Sequence, residues 1–273
     1  MCKSAEDLIA IYTKRLKKVT NCAYSECVEL LSAATGLTKT QILIGAWDSR
    51  SPINFDLVED YISRRCDGEP LSYITGTKGF WKRDFLVTKD TLIPRPETEL
   101  IVELVLSENS SKEHRVIDLG TGPGTIGVSL AAERPNWKIT ATDVSMEALR
   151  VAKNNSTGLQ NINFVQCSWL SPLSEDFDII VANPPYINDD DPHLKELGYE
   201  PDIALKGGKD GLDATREIVK SAKTSLKTLG KIYLEHGHDQ KNKVTDIFLQ
   251  NNFLQLKSFV DIQGNNRIVR AAL

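Results

Sequence analysis

From His114 to the end of the chain, short apolar runs alternate with segments of helical periodicity, and this alternation limits the possible folds more than any other feature. Strands that are joined by helical crossovers pair in parallel and carry helices on both faces of their sheet. The last two apolar runs are joined only by a turn at Gly264–Asn266, which predicts an antiparallel hairpin at the sheet edge. We therefore expect an α/β domain with a doubly wound, seven-stranded, mostly parallel sheet. The predicted strands are 115–119, 137–142, 162–166, 177–182, 230–235, 253–260 and 266–271, and the predicted helices of this region are 125–133, 145–155, 211–227 and 240–251.

The first part of the chain has a different pattern. Residues 1–70 show apolar residues at helical spacing, with Thr38 and Asn54 placed as helix caps and Gly36 as a helix stop, so we predict a small all-α bundle. From Tyr73 to Val87 the chain becomes aromatic and β-branched, which predicts a β-hairpin. We expect three parts: a helical domain at 1–70, a β-hairpin linker at 71–95 and an α/β domain at 96–273.

Composition excludes some classes of protein. No apolar run approaches the roughly 20 residues that span a bilayer, and the first residues do not resemble a secretion signal. The five cysteines are scattered without metal or redox spacing. We therefore expect a cytoplasmic protein, without a membrane or metal partner, that acts as a monomer. Residues 1–85 hold 12 Lys/Arg and 11 Asp/Glu, so the basic stripe of a duplex-binding protein is missing and no direct nucleic-acid contact is expected.

A glycine loop follows the first predicted strand of the α/β region, at Gly120-Thr121-Gly122-Pro123-Gly124. Glycines let the backbone approach a ligand closely, and the following helix offers free N–H groups. Asp143 ends the next strand, about 20 residues later, where an acid can accept hydrogen bonds from both ribose hydroxyls; it is also placed to cap a helix. Loop and acid together predict a ligand that contains adenosine, either NAD or S-adenosylmethionine. Trp169, after the third strand, could stack on the adenine or belong to the core.

The run Asn183-Pro184-Pro185-Tyr186 follows a buried strand, at the sheet edge where ligands bind in open α/β folds. Its prolines remove two N–H donors, which leaves the Asn183 side-chain oxygen and the Pro184 carbonyl as acceptors. These could hold both hydrogens of an –NH2 group while Tyr186 supplies a flat surface. The run therefore predicts a site that methylates a planar nitrogen, either an amide or an amino-substituted ring. The sequence offers no obvious general base.

The chain resembles the HemK/PrmC protein-(glutamine-N5) methyltransferases along nearly its whole length. The most specific of the shared motifs is Leu92–Glu99, and the one departure noted is Ser168, where the family often has an acid. The other motifs that carry the resemblance are 68–74, 118–124, 183–186, 207–213 and 266–269.

The resemblance implies that residues 1–70 are a substrate-recognition domain that contacts the release factor, and that residues 96–273 are a Rossmann-like class I methyltransferase domain. This domain would move a methyl group from S-adenosyl-L-methionine to the glutamine of the Gly-Gly-Gln tripeptide in class-1 peptide chain release factors. The product of the donor is S-adenosyl-L-homocysteine. By family position, the residues that bind the donor would be Gly120, Thr121, Gly122, Pro123, Gly124, Asp143, Trp169 and Asn183. Those that hold the glutamine would be Asn183, Pro184, Pro185 and Tyr186, with catalysis assigned to Asn183, Pro184 and Tyr186.

Two other readings remain open from the residues alone. An adenine N6-methyltransferase shares Asn-Pro-Pro-Tyr but would need a basic target-recognition region. A non-catalytic module could keep a vestigial donor site. Arg95 could contact substrate or pin the linker, and the segment around Glu200 and 207–211 is expected to form a loop over the mouth of the site. His236 and His238 lack a third ligand, so we predict no metal there.

Overall fold

The computed structural model describes residues 5–45, 54–171 and 176–273. The chain divides into two compact units between Thr77 and Lys78, a boundary that lies within the predicted linker. No helix in these three ranges combines the length and apolar character needed to cross a membrane.

The first unit is helical. Thr38 Oγ1 accepts from the backbone N–H of Gln41 while the Gln41 side chain accepts from that of Thr38, and Asn54 caps a helix through the N–H of Leu57. These two predicted caps and the predicted stop at Gly36, which has a φ of 73°, are confirmed. The helices are α1 (Ala5–Leu16), α2 (Ala23–Thr35), α3 (Lys39–Leu43), α4 (Phe55–Cys66) and α5 (Leu71–Thr75).

The helix α5 replaces the beginning of the predicted hairpin. Pro70 starts the helix and Gly76, with a φ of 76°, ends it. Ile74 is only 4% exposed and packs into the core of the first unit. Burial of a side chain of this size contributes roughly 1.5–3 kcal/mol, which outweighs the strand preference of a β-branched residue. The prediction that strand structure starts at Tyr73 was therefore wrong; the two-stranded sheet consists of β1 (Thr77–Phe80) and β2 (Arg83–Leu86).

The second unit contains the predicted doubly wound sheet. The strand order is β5-β4-β3-β6-β7-β9-β8; the first five of these strands are parallel, and β9 runs antiparallel to both β7 and β8. The predicted strands and their antiparallel edge are confirmed. The strands are β3 (Arg115–Leu119), β4 (Lys138–Asp143), β5 (Ile162–Gln166), β6 (Phe177–Ala182), β7 (Leu226–Glu235), β8 (Leu254–Val260) and β9 (Asn266–Ala272), and the helices are α6 (Glu99–Glu108), α7 (Thr125–Glu133), α8 (Met146–Asn155), α9 (Asp202–Leu205), α10 (Asp213–Ser225) and α11 (Lys241–Gln250).

The register of the parallel strands brings four chain segments to one edge of the sheet. Leu119 pairs with Thr142 on one side and Ala182 on the other, and Ala182 pairs with Leu234. The apolar side chains of these strands belong to two buried clusters that hold the sheet between its helices. The residues that follow the carboxyl ends of these strands are therefore neighbours, although they are distant in the sequence.

Candidate active site

The glycine loop leaves β3 with two residues in the left-handed region. Gly120 has a φ of 66° and Gly122 a φ of 55°, conformations that residues with a side chain adopt only under strain. Asp118 holds the loop from beneath, since its Oδ2 accepts from Thr121 Oγ1 at 2.6 Å and from the N–H of Gly127 at 2.9 Å. Burial raises the pKa of Asp118 to about 6. Its Oδ1 is buried and has no hydrogen-bond partner in the part of the chain that the structure describes.

Gly124 joins the loop to α7 at a close approach. It has a φ of 90°, and a Cβ there would lie 3.0 Å from Val128 Cγ2 and 3.1 Å from Ala152 Cβ. The Pro123 carbonyl accepts from Asn155 Nδ2 at 2.8 Å. These contacts fix the shape of the loop from the side of the helices.

Asp143 ends β4 beside this loop. Its Oδ2 accepts from the N–H of Gly122 at 2.9 Å and its Oδ1 from the N–H of Ser145 at 2.9 Å. Burial raises the pKa of Asp143. The cap of α8 is Ser145, whose hydroxyl accepts from the N–H of Ala148. The carboxylate of Asp143 thus orients the glycine loop from the neighbouring strand.

A cavity of about 570 Å³ lies over the loop, and we call it the donor cavity. Its size is typical of sites for small organic ligands and cofactors. Trp169 forms part of the wall against the loop: its Cζ3 would lie 3.3 Å from a Cβ on Gly120, and its Nε1 donates to Glu217 at 2.9 Å. Of the predicted donor residues, the wall includes Gly120, Gly122, Asp143, Trp169 and Asn183, whereas Thr121, Pro123 and Gly124 lie outside it and support the loop.

Asn183 follows β6 directly. Its Nδ2 donates to the hydroxyl of Thr98 at 3.0 Å, so Oδ1 is the atom of the side chain that remains to accept a hydrogen bond. Thr98 is 3% exposed and ends the short 3₁₀ turn Pro96–Thr98. This contact brings the proline-rich segment before α6 into the site.

A second cavity, of about 890 Å³, lies on the other side of Asn183, and we call it the acceptor cavity. Pro184 and Tyr186 line it, whereas Pro185 lines the donor cavity. Asn183 belongs to both walls, as do Leu92 and Ala204. The run from Asn183 to Tyr186 therefore separates the two cavities. The family resemblance places Pro185 with the acceptor residues, whereas in the structure Pro185 lines the donor cavity.

Tyr186 is held from two directions. Its carbonyl accepts from Gln240 Nε2 at 3.0 Å, and its hydroxyl lies 3.4 Å from Oε1 of Glu235, to which it donates. Burial, and then the nearby Glu235 carboxylate, raise the pKa of Tyr186. The phenol is therefore a hydrogen-bond donor at physiological pH.

Glu235, at the end of β7, is the residue that the sequence analysis did not single out. It is 1% exposed, and its Oε2 has no hydrogen-bond partner within the described residues. The pKa of Glu235 is raised to about 7, mainly by burial and also by the charge of Glu97, while the Thr98 hydroxyl and the charge of Arg267 act in the opposite direction. The available signal was an acid at the end of a predicted strand, at the edge where Asn183 emerges.

We call the run Asn183–Tyr186 the clamp. The loop that follows it is tied to the proline-rich segment before α6. Arg95 Nη2 donates to Oε1 of Glu200 at 2.5 Å, and the N–H of Ile93 donates to Oε2 at 2.9 Å. Arg95 pins the segment in this way and also lines the acceptor cavity. The loop contributes Pro201 and Gly207 to the wall of the donor cavity, and Leu197 to that of the acceptor cavity.

The histidine pair shows no metal-site geometry. His236 is buried, its Nδ1 lies 2.7 Å from the Gly237 carbonyl, and burial lowers its pKa. His238 lies in the wall of the acceptor cavity. In the ranges 5–45, 54–171 and 176–273, no group of three or more His, Cys, Asp or Glu side chains is placed to hold a metal ion.

The donor cavity fits a ligand with an adenosine and a cationic amino-acid part. The carboxylate of Asp143 lines the wall where ribose hydroxyls would need acceptors, and the Trp169 ring offers a flat apolar face. A Cβ on Gly122 would meet no atom within 4 Å, so the loop backbone is open to a ligand there. Oδ1 of Asp118, which has no hydrogen-bond partner within the described residues, places negative charge behind the loop.

Comparison with known proteins finds matching domains and similar full-length relatives over most of the chain. Residues 7–76 match the family model of the PrmC N-terminal domain, and residues 96–196 match that of the methyltransferase small domain. The release factor glutamine methyltransferase of Coxiella burnetii is 42% identical over 215 residues, which are 77% of this chain and 78% of the relative. That of Buchnera aphidicola is 39% identical over 261 residues, 93% of this chain and 95% of the relative.

A solved structure supports the fold. A methyltransferase from Pyrococcus furiosus superposes with a TM-score of 0.54 at 17% identity, over 78% of this chain and 98% of that one. At this identity the likeness extends to the architecture of the sheet and its helices.

Proposed function

The chain belongs to the release factor glutamine methyltransferase family, and from this premise we propose that it transfers a methyl group from S-adenosyl-L-methionine to the side-chain amide nitrogen, N5, of the glutamine in the Gly-Gly-Gln motif of class-1 peptide chain release factors. The observation that carries the proposal is the position of Asn183, in the wall common to the donor and acceptor cavities. A methyl group that moves from a ligand in the donor cavity to one in the acceptor cavity has to pass beside their common wall.

The donor cavity is assigned to S-adenosyl-L-methionine, which supplies an electrophilic methyl group on a sulfonium and leaves as S-adenosyl-L-homocysteine. Gly120 and Gly122 bring the backbone close to the ligand. Asp143 accepts from the ribose hydroxyls, and Trp169 covers the adenine. Thr121, Pro123 and Gly124 act indirectly, because they hold the loop in the conformation that the wall requires.

The acceptor cavity is assigned to the glutamine side chain. Asn183 Oδ1 and the Pro184 carbonyl accept the two hydrogens of its –NH2 group, and the Tyr186 ring supports the amide plane. Pro185 belongs to the donor side and fixes the turn, since a proline has only a narrow range of φ. Arg95 and Arg267 also line the acceptor cavity, and each forms an ion pair, with Glu200 and Asp261 respectively.

Positioning supplies most of the catalysis in this scheme. The lone pair of an amide nitrogen is delocalised, so the nitrogen is a poor nucleophile, and a well-oriented pair of reactants gains roughly 7–11 kcal/mol over a random encounter. Acceptors at both N–H bonds draw positive charge from the nitrogen as the new bond forms. The proton leaves to water after transfer.

The helical unit is assigned to recognition of the release factor. Its near-neutral balance of charges suits a protein partner better than a phosphate backbone. We propose that the enzyme acts in the cytoplasm as a monomer, without direct contact to nucleic acid.

The test is a transfer assay with labelled S-adenosyl-L-methionine and three acceptors: a class-1 release factor, its Gly-Gly-Gln variant with Gln→Ala, and DNA. We expect label on the release factor alone. Label on the Gln→Ala protein at the wild-type level, or on DNA alone, would refute the proposal.

A further inference from the structure

A second glycine loop, residues 207–211, packs against the clamp, and we propose that Gln240 is a positioning residue that holds the Tyr186 carbonyl against this loop and so fixes the clamp for methyl transfer. The inference rests on the proposed function and goes beyond it, because it concerns how the clamp is held and not what the clamp binds. It assigns a role to a glycine-rich motif and to an amide that take no part in the chemistry of the transfer.

The glycines of the second loop are the first step. A Cβ on Gly207 would lie 2.6 Å from the carbonyl oxygen of Pro185, and a Cβ on Gly211 would collide with the carbonyl oxygen of Tyr186. Neither position therefore accepts a side chain unless the backbone of the loop or of the clamp shifts. The loop thus reaches the backbone of the clamp itself.

Backbone hydrogen bonds join this loop to the residues that follow the clamp. The N–H of Ile187 donates to the carbonyl of Leu205 at 3.0 Å, and the Ile187 carbonyl accepts from the N–H of Gly207 at 2.8 Å. The N–H of Asp189 donates to the carbonyl of Gly208 at 3.1 Å. These bonds keep the end of the clamp in a fixed register with the second glycine loop.

Gln240 holds the two segments together with one side chain. Its Oε1 accepts from the N–H of Gly237 at 2.8 Å, so the carboxamide turns its nitrogen to the other side. Nε2 donates to the carbonyl of Tyr186 at 3.0 Å and to those of Gly211 and Asp210 at 3.3 and 3.4 Å. Gln240 is 8% exposed, so water does not readily replace these bonds.

The second glycine loop extends along both cavities. Gly207 and Gly208 line the donor cavity, whereas Lys209, Asp210 and Gln240 line the acceptor cavity. The residues of the clamp are divided between the cavities in the same way. The loop and the clamp therefore lie side by side along the wall that the methyl group has to pass.

The position of the clamp determines the rate, because transfer between held groups depends on their geometry. A displacement of about 1 Å can lower a rate by about 100-fold. The prolines of the clamp have a narrow range of φ, so a displaced Tyr186 carbonyl takes the Pro184 carbonyl, an acceptor for the glutamine amide, with it. We therefore expect Gln240 to affect the transfer step and not the binding of the donor.

Two variants of the full chain test the inference from both sides of the contact: Gln240→Glu and Gly211→Ala. The first is isosteric, and an ionised carboxylate still accepts from the N–H of Gly237 but has no hydrogen for the Tyr186 carbonyl. The second places a methyl group against the same carbonyl. The double variant Gln240→Glu/Gly211→Ala shows whether both changes act through that one contact.

Each variant has a matched control elsewhere in the α/β unit. Nδ2 of Asn161 also donates to three backbone carbonyls, at 3.0 to 3.1 Å, so Asn161→Asp removes an amide of the same kind outside the walls of both cavities. Gly264 has a φ of 84°, close to the 72° of Gly211, and a Cβ there would meet no atom within 4 Å. Gly264→Ala therefore adds similar backbone strain without a collision.

We expect kcat with the release factor to fall about 10- to 100-fold in Gln240→Glu and in Gly211→Ala, as a small displacement of the clamp requires. The KM for the release factor and the Kd of S-adenosyl-L-homocysteine, which also reports folding, should stay within about threefold of wild type, because the change affects the transition state. The kcat of the double variant should be within about threefold of that of the less active single variant. Both controls should keep at least about half of the wild-type kcat, since they lie away from the clamp.

Three results would overturn the inference: a folded Gln240→Glu protein that keeps more than about half of the wild-type kcat, controls that lose as much kcat as the test variants, or losses that multiply in the double variant, as they do for independent sites. Failure of the proposed function gives a different result, since the wild-type enzyme itself would then place no label on the release factor. Either single variant, with its control, decides the question by itself if the other does not fold.

Discussion

Arg95 donates to Glu200 over 2.5 Å, and this ion pair ties the proline-rich segment before α6 to the loop that follows the clamp. The Glu200 side chain is 3% exposed and that of Arg95 is 33% exposed. The carboxylate of Glu200 is therefore buried, and the partly exposed guanidinium of Arg95 is its counter-ion.

Removal of Arg95 should destabilise the protein more than removal of the charge on both partners. We expect Arg95→Ala to lower the free energy of unfolding by about 1–3 kcal/mol, because a buried carboxylate is left without its counter-ion. Arg95→Ala/Glu200→Gln should be more stable than Arg95→Ala, since Gln still accepts from the N–H of Ile93. Urea denaturation measures both, and a double variant less stable than Arg95→Ala would contradict the assignment.

Asn183→Ala should separate turnover from donor binding. The substitution removes the acceptor for the amide but leaves the glycine loop and Asp143 in place, so we expect turnover to fall by about 100-fold or more while S-adenosyl-L-homocysteine still binds measurably. Asn163→Ala, at an exposed position on β5, is the control. Unchanged turnover in Asn183→Ala would refute the role of the clamp.

Asp143→Ala should weaken the binding of the donor without weakening that of the release factor. The variant loses the carboxylate in the donor wall and the acceptor for the N–H of Gly122, and we expect the Kd of S-adenosyl-L-homocysteine to rise by about 10- to 100-fold, or 1.4–2.8 kcal/mol. The KM for the release factor at saturating donor should change little. Calorimetry measures the first quantity and the transfer assay the second; a larger effect on the release factor than on the donor would place Asp143 elsewhere in the mechanism.

Glu235→Gln should make the protein more stable as the pH rises. The pKa of Glu235 is about 7 in the folded protein against an ordinary value of 4.5, so its contribution to stability is fully present below about pH 4.5 and is lost as the pH rises through about 7. The loss is on the order of 3 kcal/mol. Glutamine has no such loss, so its advantage in unfolding free energy should grow from pH 5 to pH 8. A variant that is destabilised at pH 8 would instead indicate a structural role.

The two compact units should differ in what they bind. We expect residues 76–273, expressed alone, to keep the Kd for S-adenosyl-L-homocysteine within about threefold, because the buried clusters of the α/β unit hold no residue from the helical one. Methylation of the release factor should drop at least 10-fold through KM if the helical unit recognises the partner. A wild-type KM for the release factor in this fragment would show that the helical unit does not recognise the partner.

The architecture could be predicted because the central strands β3 and β6 are buried along most of their length and form largely apolar runs between turn residues. The predicted edges of β3, β5 and β6 agree with the structure. The helix α5 could not be predicted from its residues, since Ile74 prefers a strand when considered alone and becomes helical through packing against the bundle.

The site was predictable where its residues are contiguous, in the glycine loop and the clamp. The contacts between distant positions were not: Glu200 and Ile93 are 107 positions apart and Tyr186 and Glu235 are 49 apart. Each of these acids looks like an ordinary solvated residue in the sequence. Their importance depends on burial, which sequence patterns at a polar loop do not report.

The wall that the two cavities have in common has a thermodynamic consequence. If donor binding changes the position of Asn183 or Leu92, the affinity for the glutamine changes with it, and linkage requires that the glutamine change the donor affinity by the same factor. A release factor that binds tightly would then also change the equilibrium affinity for the spent donor. The affinity for the cofactor would in this way depend on the supply of unmethylated partner.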